Sequence, residues 1–278
     1  MKTGEIAVNI NGDLSDEELI ERALMAEKAV KRVWIGELEF FRDPLEVAEL
    51  ISENTSLEVC ILLSPSRRSC SEIIKAAKKY PIGLIPGKSK NLSDFISCLK
   101  SVRRTAEEVY VGCSGKRLAK AVGKLSDGIL ANYVYPEYIK WLGEFEFVAA
   151  FGPSLVLPST CHEDLLIAAA IVMGSNRNFL EHFNLSEVWN ELSSVDFTCL
   201  IRARQRGESV RDVQDFKLIK KHKKLLLEKF TISGGIKDVC SRIRKLLDVC
   251  NCIVLGDPFF RDAKSMEKLP EIVNKIKN

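Results

Sequence analysis

The chain is poor in histidine, methionine and tryptophan, with three, four and three of each. None of its histidines (His162, His182, His222) falls at the end of a predicted strand, which removes the commonest acid–base side chain from those positions. Long apolar runs are missing as well. No stretch approaches the ~18 residues of a membrane span, so no membrane partner is expected. The opening Met1-Lys2-Thr3-Gly4-Glu5 leads into a short strand rather than the apolar core of a signal peptide. Charge of one sign is not in excess: Lys+Arg 41 against Asp+Glu 38 gives a net +3, and no global field points to nucleic acid. Paired metal-ligand spacing is lacking too. The close cysteine pair, Cys250-Asn251-Cys252, has no second Cys/His pair at ligand distance. Cys60, Cys113 and Cys199 lie inside apolar patterns, where a reduced cysteine acts as a small hydrophobe. The expectation is a cytoplasmic protein with reduced thiols and no metal.

What the chain has in abundance is alternation of strand and helix signals. Short apolar or β-branched runs occur at Ile6–Ile10, Arg32–Gly36, Leu57–Leu63, Pro81–Ile85, Val109–Cys113, Ile129–Ala131, Phe145–Phe151, Phe230–Ser233 and Cys252–Gly256. Helical patterns separate them. Ser15-Asp16-Glu17-Glu18 puts acidic residues at a helix start, and Asp43-Pro44 pairs an N-cap with Pro at the first helical position. Leu57–Leu63 is almost wholly apolar, as a strand buried on both faces should be. The rhythm breaks over about 163–225, where helices predominate and no run longer than Phe197–Ile201 reads as a strand. Strand and helix alternating over the whole length predicts an α/β protein with a parallel sheet. Units so numerous, so similar in size and reaching both ends predict a closed barrel of eight strands in one domain, 1–278, with one strand surplus. Phe230–Ile232 is the shortest, and the helical stretch is then an insertion before the last barrel strand.

The stretch Val109–Asn132 carries the clearest binding signal. Its first strand ends in Ser114-Gly115-Lys116 at a helix start. Free backbone N–H groups there, with a hydroxyl and an ammonium, suit a phosphate, although an ordinary helix start reads the same way. Gly87-Lys88 follows the fourth strand, Asn132 ends the sixth, and Gly256-Asp257-Pro258 ends the last; each is either a mouth residue or a plain turn. The basic segment 217–224 places Leu218 and Ile219 at helix spacing among its lysines, the pattern of a solvated helix face.

Several stretches together resemble one family in order: VWIGE (Val33–Glu37), Val109–Asn132, Ala170–Leu185 and Phe230–Pro258. The sequence resembles the luciferase-like flavin and deazaflavin oxidoreductases, and within them the archaeal coenzyme-F420-dependent methylenetetrahydromethanopterin reductases. The resemblance implies a TIM (β/α)8 barrel of the bacterial luciferase-like type. It implies coenzyme F420, or alternatively FMN as in the monooxygenases, lying across the C-terminal strand ends beside a small-molecule substrate such as a methylene-pterin one-carbon carrier. It implies a homodimer, and a non-prolyl cis peptide near Ile61–Ser64, where Leu62, Leu63 and Ser64 would approach the ring. Ser114, Gly115 and Lys116 would hold the coenzyme phosphate, with Gly87 and Asn132 nearby.

The chain departs from the family at two points. Leu38 replaces a histidine beside an acidic residue, and Asn9 stands where the first strand tends to carry a glutamate. Asn9 cannot relay protons. Glu37, with Glu39 close by, remains the acid–base candidate, against the plainer reading of a salt-bridged carboxylate. These departures keep open a barrel that binds a ligand without turning it over.

Overall fold

The computed structural model describes residues 4–38, 41–87 and 91–277. Glu39 and Lys88 lie outside them. Nine parallel strands are present: β1 (Glu5–Ile10), β2 (Arg32–Gly36), β3 (Glu58–Leu63), β4 (Ile82–Leu84), β5 (Val109–Cys113), β6 (Gly128–Ala131), β7 (Val148–Val156), β8 (Ile232–Gly234) and β9 (Cys252–Gly256). Helices α1 (Asp16–Glu27), α2 (Pro44–Asn54), α3 (Cys70–Ala77), α4 (Leu92–Arg103), α5 (Lys116–Val122) and α6 (Pro136–Leu142) follow the first six strands in turn. After β7 come α7 (His162–Met173), α8 (Arg177–His182), α9 (Ser186–Leu192), α10 (Phe197–Gln205), α11 (Gln214–Lys221) and α12 (Lys223–Phe230). α13 (Ile236–Leu247) and α14 (Ala263–Lys277) flank β9.

Strands β1 to β6 pair in sequence, β1 pairs β9, β9 pairs β7, and β6–β7 closes the ring. This is an eight-stranded TIM barrel with the helical insertion before its last strand. The surplus strand is β8, which pairs only with Ser154–Val156 at the far end of β7. That pairing explains a difference from the sequence reading. β7 does not stop at Gly152-Pro153 but continues to Val156, because β8 offers its last three residues a partner. Pro153 lies opposite Gly256, the final residue of β9, at the rim, where a missing N–H is tolerated. Phe197–Ile201, the other strand-like run, is helical and belongs to α10, capped by the Asp196 side chain on the Cys199 N–H.

Local signals set several helix starts. Ser15 with Glu18, and Ser69 with Glu72, form reciprocal capping boxes. The second begins α3 at Cys70. Strand alternation divides the apolar residues into two layers. Val33, Ile35, Val59, Ile61 and Leu63 pack outward against helices, while Ala7, Trp34, Cys60, Leu62, Tyr110, Leu130, Ala149, Cys252 and Val254 fill the barrel. Trp34 meets Tyr110 edge-on with centroids 5.2 Å apart.

The N-terminal end of the barrel is closed by an ionic cluster. The Arg32 Nη1 donates to Tyr110 Oη at 2.8 Å, and its Nη2 meets Glu58 at 2.5 Å and Glu108 at 2.8 Å. Burial pushes the Glu5 carboxyl up beside it, against the pull of Arg32. Removing one partner of a buried ion pair strands the others. Glu58 and Glu108 are partly exposed, which softens the cost. Arg32→Met is expected to lower unfolding free energy by about 2–4 kcal/mol in urea titrations; a change within noise would contradict this role.

The cis peptides among the described residues are Leu157–Pro158 and Asp257–Pro258. The backbone through Ile61–Ser64 is therefore trans, and the cis bond implied by the resemblance is not there. The thiols also depart from expectation. Cys70 and Cys98 form a disulfide across α3 and α4, 28 residues apart in sequence. Cys60 and Cys113 are free and buried, as expected, but Cys199 is exposed. Among the described residues no three His, Cys, Asp or Glu side chains cluster where they could hold a metal ion, and no helix is long and apolar enough to cross a membrane. Breaking the cross-link with Cys70→Ser and Cys98→Ser is expected to cost about 2–4 kcal/mol, read as a fall in Tm that reductant reproduces in the wild type. Equal Tm in all three samples would refute it.

Candidate active site

The top layer of barrel side chains is the floor of a cleft. A cavity of about 240 Å³ lies over Leu62, Ile85, Gly112 and Leu130, rimmed by Gly87, Ser114 and Ser175. A larger one of about 450 Å³ lies beside it, over Asn9, Asn11 and Gly36. The two lobes share Leu62, Ile85, Asn132, Phe151 and Ser175. They are thus one cleft with a waist, at the C-terminal ends of the strands, where TIM-barrel sites lie. Helix α7, the first of the insertion, lays Ile167, Ile171 and Val172 along the larger lobe.

Of the residues singled out from the sequence, Leu62, Gly87, Ser114, Asn132 and Glu37 line this cleft. Asn132 is at the waist, and its Nδ2 donates to Ser175 Oγ at 3.3 Å. Gly87 adopts φ +57°, and a Cβ there would stand 2.4 Å from Ser66 Oγ and 2.6 Å from Ser64 Oγ. Only glycine fits that turn.

Four expected residues are elsewhere. Leu63 is one residue out of phase with Leu62 and faces the helices, fully buried, because successive strand residues point to opposite faces. Ser64 is buried below the rim, its N–H spent on Glu37 Oε2 at 2.9 Å and its hydroxyl on Ser66 Oγ at 2.8 Å. Lys116 turns away and places its ammonium 4.8 Å from the Trp141 ring centroid, a cation–π contact that competes with any anion. Gly115 is covered by the Asn176 side chain, whose Nδ2 would lie 2.6 Å from a Cβ at that position. Asn176 also caps α8 through the Phe179 N–H and reaches Ser114 Oγ at 3.4 Å. The insertion thus sits on the turn that reads in sequence as a phosphate grip.

Glu37 lines the larger lobe, but both its oxygens are engaged. Oε2 accepts from the Ser64 N–H, and Oε1 from Arg68 Nε at 2.7 Å. Arg68 reaches Asp43 at 2.8 Å as well. The salt-bridged reading of Glu37 is the one the geometry bears out. The other carboxylates of the lobe are similarly held. Asp164 takes a forked pair of bonds from Arg204, at 3.1 and 3.2 Å, and Asp257 takes two from Arg261 Nη2, at 2.9 and 2.7 Å. Arg67, by contrast, is exposed at the rim with no ion pair among the described residues.

In the sequence Asn9 stands as a departure from the family and Asp257 as either a mouth residue or a plain turn; in the structure both line the larger lobe, and they are connected. Arg261 holds Asp257, the Asn11 side chain stands beside Asp257 and works against the rise in its pKa, and Asn11 Oδ1 accepts from Asn9 Nδ2 at 2.7 Å. Arg261 Nη1 also reaches Asp13 at 3.2 Å. The available signal was the period of two: Ala7, Asn9 and Asn11 fall on the inward face of β1 and its extension.

Burial raises Asp13 to about 6, with Arg261 pulling the other way and Asp257 adding to the rise. Burial likewise raises Asp257. A carboxyl whose folded pKa exceeds its unfolded value of 3.8 binds its proton more tightly in the folded state. Its contribution to stability is fully present below the unfolded pKa and is lost as pH rises through about 6. Asp13→Asn is therefore expected to flatten the decline of stability between about pH 4 and pH 7, followed by urea titrations across that interval. An unchanged slope would remove Asp13 as its source.

No family model matches the chain, and no curated protein matches it. Solved structures do. Over 99% of both chains, the fold matches coenzyme F420-dependent tetrahydromethanopterin reductase from Methanopyrus kandleri, with TM-score 0.75 and 16% identity. An F420-dependent secondary alcohol dehydrogenase matches over the whole of both chains, with TM-score 0.64 and 11% identity. Orotidine 5'-phosphate decarboxylase from Pyrococcus horikoshii OT3 covers 98% of this chain and 99% of its own, with TM-score 0.50 and 11% identity. At these identities the likeness is one of fold. The chain is a TIM barrel similar in shape to F420-dependent oxidoreductases.

Proposed function

We propose that the chain is an oxidoreductase that holds coenzyme F420 in its barrel mouth beside a small substrate, of the kind represented by a methylene-pterin one-carbon carrier. The observation that carries this reading is the two-lobed cleft. Transfer between two bound molecules needs their reacting atoms about 3–3.5 Å apart, and two adjoining lobes over a common floor suit that. The fold likeness to two F420-dependent enzymes supports the choice of cofactor.

The residues present fit a planar ring system. Leu62, Ile85, Leu130 and Phe151 make an apolar floor, and Gly112 keeps it open, since a Cβ there would stand 2.5 Å from Ile85 Cδ1. When bound, the deazaflavin supplies the hydride chemistry; the protein supplies position and surroundings. Asn132 and Ser175 offer polar groups at the waist, and α7 walls the larger lobe with Ile167, Ile171 and Val172.

The ion pairs bear on proton transfer. With Glu37, Asp164 and Asp257 each committed to an arginine, no described carboxylate of the lobe is free to take a proton from an alcohol. Reduction of a methylene-pterin to its methyl form takes up a proton at nitrogen along with the hydride, as reduction of a ketone takes one up at oxygen, so with these carboxylates paired the proton in either case is left to solvent. The same commitment favours, as a second reading, a barrel that binds its ligand without turnover.

Fluorescence titration of the purified protein with F420, and separately with FMN, tests the proposal. Binding of F420 at or below about tens of micromolar, with FMN weaker, is the expected result. Tighter FMN binding would move the protein to the flavin branch, and failure to bind either would overturn the enzyme reading.

A further inference from the structure

We infer that Asn9 is a specificity-determining residue, whose side-chain oxygen accepts a hydrogen bond from a ring N–H of the heterocycle lodged in the larger lobe. The inference rests on the reading of the cleft as a place where two small molecules meet, and it deepens that reading by naming a chemical feature of one of them.

The orientation of the Asn9 amide follows from its neighbours rather than from atom labels. Arg261 donates only, so it selects the Asp257 carboxylate as acceptor. Asp257, as an acceptor, favours the NH2 end of the neighbouring Asn11 side chain, which works against the rise that burial gives its pKa. Asn11 is left with its oxygen facing Asn9, which must answer with its own NH2, at 2.7 Å. The remaining atom of Asn9, Oδ1, therefore has its direction set by a relay that begins at an arginine on another loop.

That oxygen has no hydrogen-bond partner, and Asn9 is only 4% exposed. An unpaired buried acceptor costs about 1–3 kcal/mol, so a partner arriving with a ligand recovers a substantial free energy. The oxygen belongs to a residue in the wall of the lobe and has almost no exposed surface of its own. The position a Cβ would take on Gly36 is 3.6 Å from it, and Gly36 and Asn9 both line the lobe. Glycine leaves open the space through which a donor would approach.

The surroundings narrow the class of donor. The floor and the α7 wall are apolar, and the nearby carboxylates are neutralised by arginines, so the lobe suits a flat, uncharged ring. A ring carrying an amide or imide N–H presents a donor in its own plane. Its N-methylated counterpart presents none and leaves Asn9 unpaired.

Lumazine, a fluorescent bicyclic pyrimidinedione with ring N–H groups, and 1,3-dimethyllumazine, which lacks them, make the test. The wild type is expected to bind lumazine about tenfold or more tightly than the dimethyl compound. Asn9→Leu should bring lumazine to the affinity of the dimethyl compound. Gly36→Ala, which leaves the relay in place and only fills the space before Oδ1, should do the same. It decides the matter if thermal melting shows the leucine variant unfolded. Equal affinity for the two compounds in the wild type, including no binding of either, overturns the inference. So does discrimination that survives both substitutions. F420 binding without such discrimination would leave the proposed function standing and remove this residue's role. Discrimination without F420 binding would do the reverse.

Discussion

An eight-stranded parallel sheet loses its free edges only if its two outer strands pair, and here β7 makes that closure. It binds β6 on one side and β9 on the other, so the ring contains its first and last strands as neighbours. The six helices between β7 and β8 separate these strands in sequence, and β8 reaches only the tail of β7 beyond the ring. Because the ring closes without β8, the insertion is free to lie over the mouth. Helix α7 then forms a wall of the cleft, and α8 covers the turn after β5. The shape of the site is thus a consequence of which strand completes the barrel.

Opposite ends of the barrel treat charge differently. At the N-terminal end Arg32 gathers Glu58, Glu108 and Tyr110 into a plug that closes the interior. At the C-terminal end Arg68, Arg204 and Arg261 are paired with the carboxylates of the cleft wall, and the pairs stand around an open space rather than filling it. The first arrangement serves stability, in keeping with the usual division of TIM barrels. The second removes net charge from the wall of a cleft while keeping polar groups fixed in direction. Asn9 belongs to this second arrangement, and its amide is oriented by residues that do not themselves face it.

Most of the fold was legible because each strand carries its own apolar run and each helix its own cap or period. The barrel, the surplus strand and the helical insertion follow from counting such units. The site was only half legible, and the failures have physical causes. Leu63 was placed beside Leu62 because an all-apolar strand hides the phase of its alternation. Ser114-Gly115-Lys116 has the residue types of an anion site, but whether a turn is open depends on what packs over it, and Asn176 and Trp141 are distant in sequence. Glu37 stood in the sequence as an acid–base candidate or a salt-bridged carboxylate, and its partner Arg68 lies 31 positions away, so nothing local announces the bridge. The relay from Arg261 to Asn9 joins the two ends of the chain, which no motif of consecutive residues can record.

The cross-link between Cys70 and Cys98 has a topological consequence for the cleft. It makes a covalent ring of the chain from α3 to α4, and that ring contains all of β4 together with Ile85, Pro86 and Gly87 at the rim of the smaller lobe. β4, with three residues, is one of the shortest strands in the barrel wall and has little ladder of its own to hold it. Anchored through two helices on the outside, this stave is fastened at both ends by something other than its hydrogen bonds. A protease cut anywhere within the ring would leave two pieces still joined, and they would part only once the sulfurs were reduced.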